Sequence, residues 1–467
     1  MQSPNWLTGL DACFLNLETS VQPLQNVVVM DLETSTIPGG YSYDRFCEEL
    51  GNRIRAVPQL REKLSGGFPN IDHPAWVEDR EFDVNSQVHR IVASESASRS
   101  DILKICASLV GSHLNRSRPL WGMWVIERVG EESCVERLSV VLNVHHSVAD
   151  GVTYSTFFSH LFSADPNPPR PEFVPVTGDD RTLSIALGGI TNFLARPWIL
   201  VSRVAPESAR AIRDAFRRSA RGRAMAAPFS APPTIFNSRF TSKRTIGLVH
   251  LDLAEVKNVK NHFGVTVTDV VVALVSGAVR GFLLERGELP LSTLTALVPT
   301  SVHEPGRHGR NQVSGMLAKM HTQIDDPVER LRAVAASNAS AKEHSAAIRG
   351  TLLEDCTQLG GRVLMGLAKG VYGWVTQSRP MYNVVVSNVP APEFSEYFLG
   401  ARILSACGVG PIMLGAGLNV TVWPVGGTLN LGLTSCPEVT PDLSGLEGTI
   451  KAGLEQLLAE VERSALN

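Results

Sequence analysis

The sequence predicts a mixed α/β protein of two halves joined by a long connector. The chain has 467 residues, which is too long for one simple core and suits two domains. Short runs rich in β-branched residues alternate with stretches whose apolar residues recur at helical spacing. Proline-rich stretches at 165–176 and 228–233 interrupt this pattern near the middle. We therefore expect an N-terminal domain at 1–180, a connector at 181–240 and a C-terminal domain at 241–467.

The N-terminal half alternates between the two kinds of segment. Asn26–Leu32 is a β-branched run that predicts a strand, and Ser100 can cap a helix whose Ile102, Ile105 and Leu109 follow at helical spacing. The predicted strands are 26–32, 120–128 and 138–146, and the predicted helices are 44–64, interrupted by Pro58, 100–114 and 151–162.

The connector combines an apolar stretch with a basic one. Residues 183–204 are apolar with few charges, and 209–223 carry one acid, Asp214, among many arginines. These arginines are Arg210, Arg213, Arg217, Arg218, Arg221 and Arg223. On a helix they form a basic, partly amphipathic face, which favours an anionic membrane surface. The alternative is a solvated connector.

The C-terminal half restarts the alternation. Strands are predicted at 245–251, 293–302, 383–389, 417–425 and 428–433, and helices at 253–263, 267–284 and 444–462, with a Gly/Arg/His loop at 304–311. The longest uncharged stretch, 403–437, is interrupted by glycines and prolines and predicts buried strands rather than a membrane-spanning helix.

Composition excludes several classes of protein. The formal net charge of −3 argues against a dedicated nucleic-acid binder. The 7 cysteines form no C-x-x-C pair, which indicates reduced thiols in a cytosolic protein and neither a disulfide framework nor a zinc site. Residues 1–10 have neither the basic nor the apolar region of a secretory signal. We expect a cytoplasmic protein that can still rest on a membrane.

The most informative motif is His145-His146-Ser147-Val148-Ala149-Asp150-Gly151, which follows the strand 138–146. A histidine at a strand end, with an acid four residues on, is well placed to act as a base. Imidazole takes up a proton near neutral pH and can activate a hydroxyl. A structural histidine, with Asp150 capping a following helix, is the alternative. Joint metal binding is disfavoured because neighbouring strand residues point to opposite faces.

This motif resembles the H-H-x-x-x-D-G motif of the bacterial wax ester synthase/diacylglycerol acyltransferase family, and further blocks fit in the same order along nearly the whole chain. The other matching blocks are Leu7–Glu18, Pro74–Val84, Arg118-Pro119-Leu120-Trp121 with Trp124–Glu127, Val298-Pro299, Gly309–Ser314, Ser387-Asn388-Val389-Pro390 and Pro441-Asp442-Leu443. The pattern is most similar to that of mycobacterium-type triacylglycerol synthases.

The resemblance implies two chloramphenicol-acetyltransferase-like domains in a pseudo-twofold arrangement with a channel between them. It implies that His146 is the general base, that Asp150 shapes the loop and that His145 supports it. Gly151, Asn311, Ser387 and Asn388 are the substrate-binding candidates. For Ser387 and Asn388 a turn cap is the alternative. Asn311 is a similar case, and Arg307, His308 and Arg310 in the same loop could meet CoA phosphates. For all four residues the alternative is a solvated surface loop.

The implied activity is acyl transfer from a long-chain acyl-CoA to diacylglycerol, giving triacylglycerol and CoA, with acyl-CoA as a co-substrate and neither a cofactor nor a metal. Alternatives are wax ester synthesis on a long-chain alcohol and a catalytically weak lipid-binding protein of the same fold. The expected location is the inner face of the plasma membrane or a lipid droplet. The sequence departs from the family pattern at three sites, namely Gly122, where an acid is frequent, Thr268, where Asn is frequent, and Trp423-Pro424, where Ser-Tyr is common.

Overall fold

A computed structural model of the chain confirms the predicted mixed α/β class, with a seven-stranded sheet and a six-stranded sheet. It describes residues 3–66, 72–129, 135–150, 159–178, 180–199, 225–301, 310–347, 378–389 and 396–466, together with isolated positions at 153, 202, 205–206, 209–210, 213, 217, 357–358, 370 and 376. Gly151, Arg307 and His308 lie outside the described residues, as do most of the predicted helix 151–162 and of the Arg-rich segment.

The first half of the chain supplies most of the seven-stranded sheet. Its strands are β1 (Asn5–Trp6), β2 (Gln25–Glu33), β3 (Glu62–Leu64), β4 (Ala75–Glu78), β5 (Val88–Ser94), β6 (Trp121–Val129), β7 (Arg137–His145) and β8 (Phe162–Ser163). Its helices are α1 (Gly9–Leu17), α2 (Tyr43–Ile54) and α3 (Arg99–Val110), and α4 (Thr182–Ile199) lies in the connector. β2 pairs antiparallel with β7, and β1, β4 and β3 form a small separate sheet.

The second half builds the six-stranded sheet and the helices that cover it. The strands are β9 (Thr245–Asp252), β10 (Thr295–Ser301), β11 (Val313–Lys319), β12 (Val384–Asn388), β13 (Tyr397–Phe398), β14 (Ala401–Val409), β15 (Asn419–Val425) and β16 (Thr428–Ser435). The helices are α5 (Leu253–Phe263), α6 (Val267–Glu285), α7 (Pro327–Ala347) and α8 (Ser444–Ala465). The sheet order is β11-β10-β12-β15-β16-β9.

One strand of the second half belongs to the sheet of the first. β14 pairs antiparallel with β2 and is followed in the sheet by β13 and β8. The backbone of β14 also meets the other sheet, where Gly410 N–H donates to Thr421 Oγ1 at 3.1 Å. The hairpin of β13 and β14, which lies in the predicted range 241–467, therefore belongs to the N-terminal sheet, where β14 and β7 flank β2. A single boundary near residue 240 therefore does not separate the strands of the two sheets.

The structure corrects two predicted boundaries. α3 is capped by Ser98, not Ser100: Ser98 Oγ accepts from the N–H of Asp101, whose carboxylate accepts from the N–H of Ser98. β7 ends at His145, one residue early, because the next residues form a turn in which Val148 N–H donates to the carbonyl of His145. The helix 44–64 ends before Pro58, as predicted, and gives way to a short 3₁₀ turn and β3.

The helices α6 and α4 differ in the exposure of their apolar side chains. α6 is long and apolar enough to cross a membrane, yet most of its apolar side chains, including Val271, Leu274 and Val279, are buried in the core of the second half. α4 instead exposes large apolar side chains, among them Leu183, Leu194 and Trp198. The first is therefore a core helix, and the second presents an apolar surface to the outside.

Candidate active site

His146 lies directly after β7, at the wall of a cavity between the two halves of the chain. Its backbone N–H donates to the carbonyl of Leu24 at 2.9 Å, which fixes the residue beside the start of β2. The ring stacks on Phe14 of α1, with the two ring centres 3.9 Å apart and the planes 16° from parallel. The imidazole is therefore held on one face while an edge is available to the cavity.

A second contact of the His146 ring comes from the second half of the chain. Asn311 Oδ1 lies 3.1 Å from Nδ1 of His146, and Asn311 Nδ2 donates to the His146 carbonyl at 2.8 Å. An amide oxygen can only accept, so Nδ1 carries the hydrogen. The lone pair is then on Nε2, which leaves that atom free to act as a base.

The protonation of His146 follows from its surroundings. Burial lowers the pKa of His146 below its usual range, although the hydrogen bond with Asn311 and the charge of Asp150 oppose this shift. The ring is therefore neutral at neutral pH. A neutral, oriented imidazole is the form that can take a proton from an alcohol.

Asp150 contacts backbone N–H groups rather than the imidazole. Its Oδ2 accepts from the N–H of Gln312 at 2.7 Å, and its Oδ1 accepts from the N–H of Thr153 at 2.9 Å. Its own N–H donates to the carbonyl of Arg310 at 3.1 Å. Asp150 thus holds the segment 310–312 of the second half against the first, and this segment places Asn311 beside His146.

His145 faces away from His146, towards a buried acid. Its Nδ1 accepts from the N–H of Ser147 at 3.1 Å, so the hydrogen is on Nε2, which lies 3.5 Å from Glu18 Oε1. Glu18 also pairs with Arg116 at 2.6 Å. Burial lowers the pKa of His145. The two neighbouring rings therefore carry opposite tautomers and contact different partners.

Arg310 contacts side chains of the first half of the chain. Its guanidinium is buried, pairs with Glu62 and lies over the ring of Trp76, 4.1 Å from the ring centre. The suggested contact of Arg310 with a CoA phosphate stays a prediction, and the ion pair with Glu62 favours a structural role for this residue instead. Its role in the fold is to attach the segment 310–312 to β3 and β4.

The cavity has a volume of about 370 Å³ and a mainly apolar wall. Its apolar lining includes Leu10, Phe14, Leu24, Val27, Leu297, Val313, Val385, Val409 and Trp423, and its polar lining includes Asn26, Ser314, Ser387, Asn388 and Thr421. Sites for apolar ligands commonly have this composition, with a few polar groups that fix orientation. An acyl chain would fit such a wall, with its reacting end near His146.

The structure brings most of the predicted site residues together. His146, Asp150, Ser387 and Asn388 line the cavity, and Asn311 touches the ring of His146. Asn388 also contacts Thr268, with its Nδ2 3.4 Å from Thr268 Oγ1. Their roles in catalysis and binding stay predictions.

Two residues at the site were not singled out from the sequence. Phe14 stacks on His146, and Asp11 accepts from Asn311 Nδ2 at 2.7 Å. Both lie in the segment Leu7–Glu18. The resemblance of this segment to the family pattern is the feature of the sequence that points to them. Neither periodicity nor spacing distinguishes them from ordinary residues of an amphipathic helix.

Comparison with known proteins identifies the family. Residues 7–271 match the wax ester synthase/diacylglycerol acyltransferase catalytic domain, and 310–458 match the C-terminal domain of the same family. A Mycobacterium tuberculosis protein whose name proposes a diacylglycerol O-acyltransferase is 43% identical over 463 residues, which cover 98% of this chain and 91% of the relative.

Solved structures agree on the fold. The wax ester synthase/diacylglycerol acyltransferase of Marinobacter aquaeolei superposes with a TM-score of 0.67 at 22% identity, covering 98% of this chain and all of the other. A trichothecene 15-O-acetyltransferase of Fusarium sporotrichioides gives 0.58 at 12% identity, with 97% and 95% covered. With its two matched domains and its intact histidine motif, this chain belongs to the wax ester synthase/diacylglycerol acyltransferase family.

Proposed function

We propose that the protein transfers a long-chain acyl group from acyl-CoA to diacylglycerol, with His146 as the general base. The observation that carries the proposal is the position of the His146 imidazole, which Asn311 and Phe14 orient at the wall of an apolar cavity. The named activity of the mycobacterial relative supports the choice of acceptor.

The reaction requires His146 to take up one proton from the acceptor and then to release it to the leaving group. The acceptor hydroxyl gives its proton to Nε2 of His146 as its oxygen attacks the thioester carbonyl carbon. The ester bond forms, the carbon–sulfur bond breaks, and the departing CoA sulfur takes the proton from the imidazolium. A covalent acyl-enzyme is not required, because both substrates can meet in one channel.

The test is release of CoA from palmitoyl-CoA by the purified protein, with diacylglycerol and hexadecanol offered separately. Release with diacylglycerol that is lost in His146→Ala and retained in His262→Ala, a matched exposed histidine, supports the proposal. Release only with hexadecanol would favour the wax ester synthase. Release with neither acceptor, or unchanged release in His146→Ala, would favour the lipid-binding alternative and overturn the proposal.

We also propose that the protein rests on an anionic lipid surface through α4, from the cytoplasmic side of the membrane or on a lipid droplet. Exposed side chains on α4 recur every three or four residues, as on one face of a helix. They are Leu183, Leu187, Ile190, Leu194 and Trp198, of which Leu183 and Leu194 are 70% exposed and Trp198 is 74% exposed. The Arg-rich sequence 209–223 follows and would add attraction to acidic headgroups.

Flotation with phosphatidylglycerol vesicles and with phosphatidylcholine vesicles tests this attachment. Leu187→Glu with Leu194→Glu is expected to abolish flotation. The combined change of Arg213, Arg217 and Arg218 to Glu is expected to reduce it on phosphatidylglycerol in particular. Leu291→Glu is the matched control, since Leu291 is fully exposed and lies in the loop between α6 and β10. Unchanged flotation of both variants would contradict the proposal.

A further inference from the structure

Asp11 is a buried carboxylate that lies one side chain away from the proposed base. It is the third residue of α1 and is 1% exposed. Its Oδ2 accepts from the N–H of Thr8 at 3.1 Å, and its Oδ1 accepts from Asn311 Nδ2 at 2.7 Å. Burial raises the pKa of Asp11, while these hydrogen bonds and the charge of Arg310 favour the carboxylate. Both oxygens are therefore used as acceptors.

The contacts of Asn311 leave its amide one satisfactory orientation. Nδ2 points to two acceptor oxygens, Oδ1 of Asp11 at 2.7 Å and the carbonyl of His146 at 2.8 Å, and the carbonyl can only accept. Rotating the amide by half a turn would place its oxygen against both of them and its NH₂ against the imidazole. Leaving buried polar groups unpaired in this way is costly. The amide oxygen must therefore face Nδ1 of His146.

We infer that Asp11 is a positioning residue that acts through Asn311 to hold His146 in the tautomer with hydrogen on Nδ1 and a free lone pair on Nε2. In serine hydrolases an aspartate does this by touching the histidine directly. Here an amide stands between the two, so the carboxylate orients the base without a direct ionic contact. The inference rests on the proposed role of His146 as the base.

Asp11 also stabilises α1, and the experiment must separate this from its effect on His146. Thr8 and Asp11 form a capping box, in which Thr8 Oγ1 accepts from the N–H of Asp11. Thr8→Ala removes that bond and leaves the contact between Asp11 and Asn311 in place. Asp11→Asn keeps an oxygen for Thr8 but presents an NH₂ group to the NH₂ of Asn311. Thr8→Ala therefore weakens the cap without changing the contact with Asn311, whereas Asp11→Asn changes that contact and keeps an oxygen for the cap.

The first measurement is the tautomer of His146, read from ¹⁵N NMR of histidine-labelled full-length protein and assigned with His146→Gln. Asp11→Asn is expected to reduce the population with hydrogen on Nδ1 and to lower kcat about 10- to 100-fold, with little change in KM for palmitoyl-CoA. Thr8→Ala is expected to lower Tm but keep the tautomer and kcat. An unchanged tautomer in Asp11→Asn, or equal loss of kcat in Thr8→Ala, would overturn the inference.

The second measurement is rescue by exchanging the two side chains. In Asp11→Asn/Asn311→Asp, the new carboxylate accepts from Nδ1–H of His146 and from the amide at position 11, whose oxygen still faces Thr8. The carbonyl of His146 loses its donor in this variant and in Asn311→Asp alike, so the comparison between them is unaffected by that loss. The exchange is expected to be more active than Asn311→Asp alone, where two carboxylates meet. Because a carboxylate then touches the ring, the acid limb of the pH profile should move to higher pH.

This comparison needs only Asn311→Asp and the exchange, so it decides even if Asp11→Asn does not fold. An exchange no more active than Asn311→Asp would contradict the inference. The tautomer is measured without turnover. It can therefore support or overturn the role of Asp11 even if the protein releases no CoA, an outcome that would refute the proposed function separately.

Discussion

Asn311 Oδ1 lies 3.1 Å from Nδ1 of His146, although the two residues are 165 positions apart in the chain. The contact depends on the segment 310–312, which docks on the first half at three successive residues. Arg310 pairs with Glu62, Asn311 reaches His146, and Gln312 N–H donates to Asp150. The proposed base is therefore oriented only when both halves are folded against each other.

The pH dependence of the reaction should reflect the lowered pKa of His146. Because the neutral ring is the active form, kcat/KM for palmitoyl-CoA should be constant around neutral pH and fall as pH drops through that pKa, below the usual value of about 6.5. Well below it the fall is about tenfold per pH unit. Initial rates between pH 5 and 8 measure this. An acid limb centred above pH 7 would contradict the assignment of the base.

Asp150→Asn should impair catalysis without removing a group that touches the imidazole. An amide oxygen can accept from Gln312 or from Thr153, but not from both as the carboxylate does. We expect a loss of about 1–3 kcal/mol in the free energy of unfolding and a fall in kcat through displacement of Asn311. Urea unfolding and CoA release measure the two effects. Asp165→Asn, at an exposed site, is the control. Full activity in Asp150→Asn would show that Asp150 does not position Asn311.

Local patterns predicted the strand that leads to the base but not the contacts that orient it. Leu138, Val140, Leu142 and Val144 alternate along β7 and share one core, as their spacing predicted. Asp11 and Asn311 are 300 positions apart, and their contact exists only after tertiary docking. The family resemblance located both segments without saying which side chains meet.

The sequence patterns also did not predict that β14 pairs with β2 of the first sheet, because this pairing too depends on tertiary contacts. Its sequence has the apolar character of any buried strand, so the stretch 403–437 predicted strands correctly. Which sheet a strand joins depends on which edge is free in the folded protein, and here that edge belongs to β2. Register with a distant partner is not encoded in the periodicity of one segment.

The ion pair of Arg310 and Glu62 should matter for stability rather than for CoA binding. Breaking a buried pair leaves one charge uncompensated, which costs about 3–5 kcal/mol. Arg310→Met should therefore lower Tm strongly, and Arg310→Met/Glu62→Gln should recover much of the loss. KM for palmitoyl-CoA, measured below the Tm of each variant, should be similar in the wild type and in the double variant. A large rise in KM in the double variant, with Tm restored, would instead assign Arg310 to CoA binding.

Ser387 offers a test of where the thioester lies. It is the fourth residue of β12 and lines the cavity with His146. If its hydroxyl donates to the oxygen that becomes negative during attack, Ser387→Ala should lower kcat by about 100-fold with little change in KM. Ser387→Thr, which keeps a hydroxyl, should retain most of kcat. Single-turnover rates with palmitoyl-CoA and diacylglycerol measure the chemical step. If Ser387 only caps the turn after β12, the alanine variant should instead have a lower Tm and an unchanged kcat, and the stabilising donor would have to be sought elsewhere on the cavity wall.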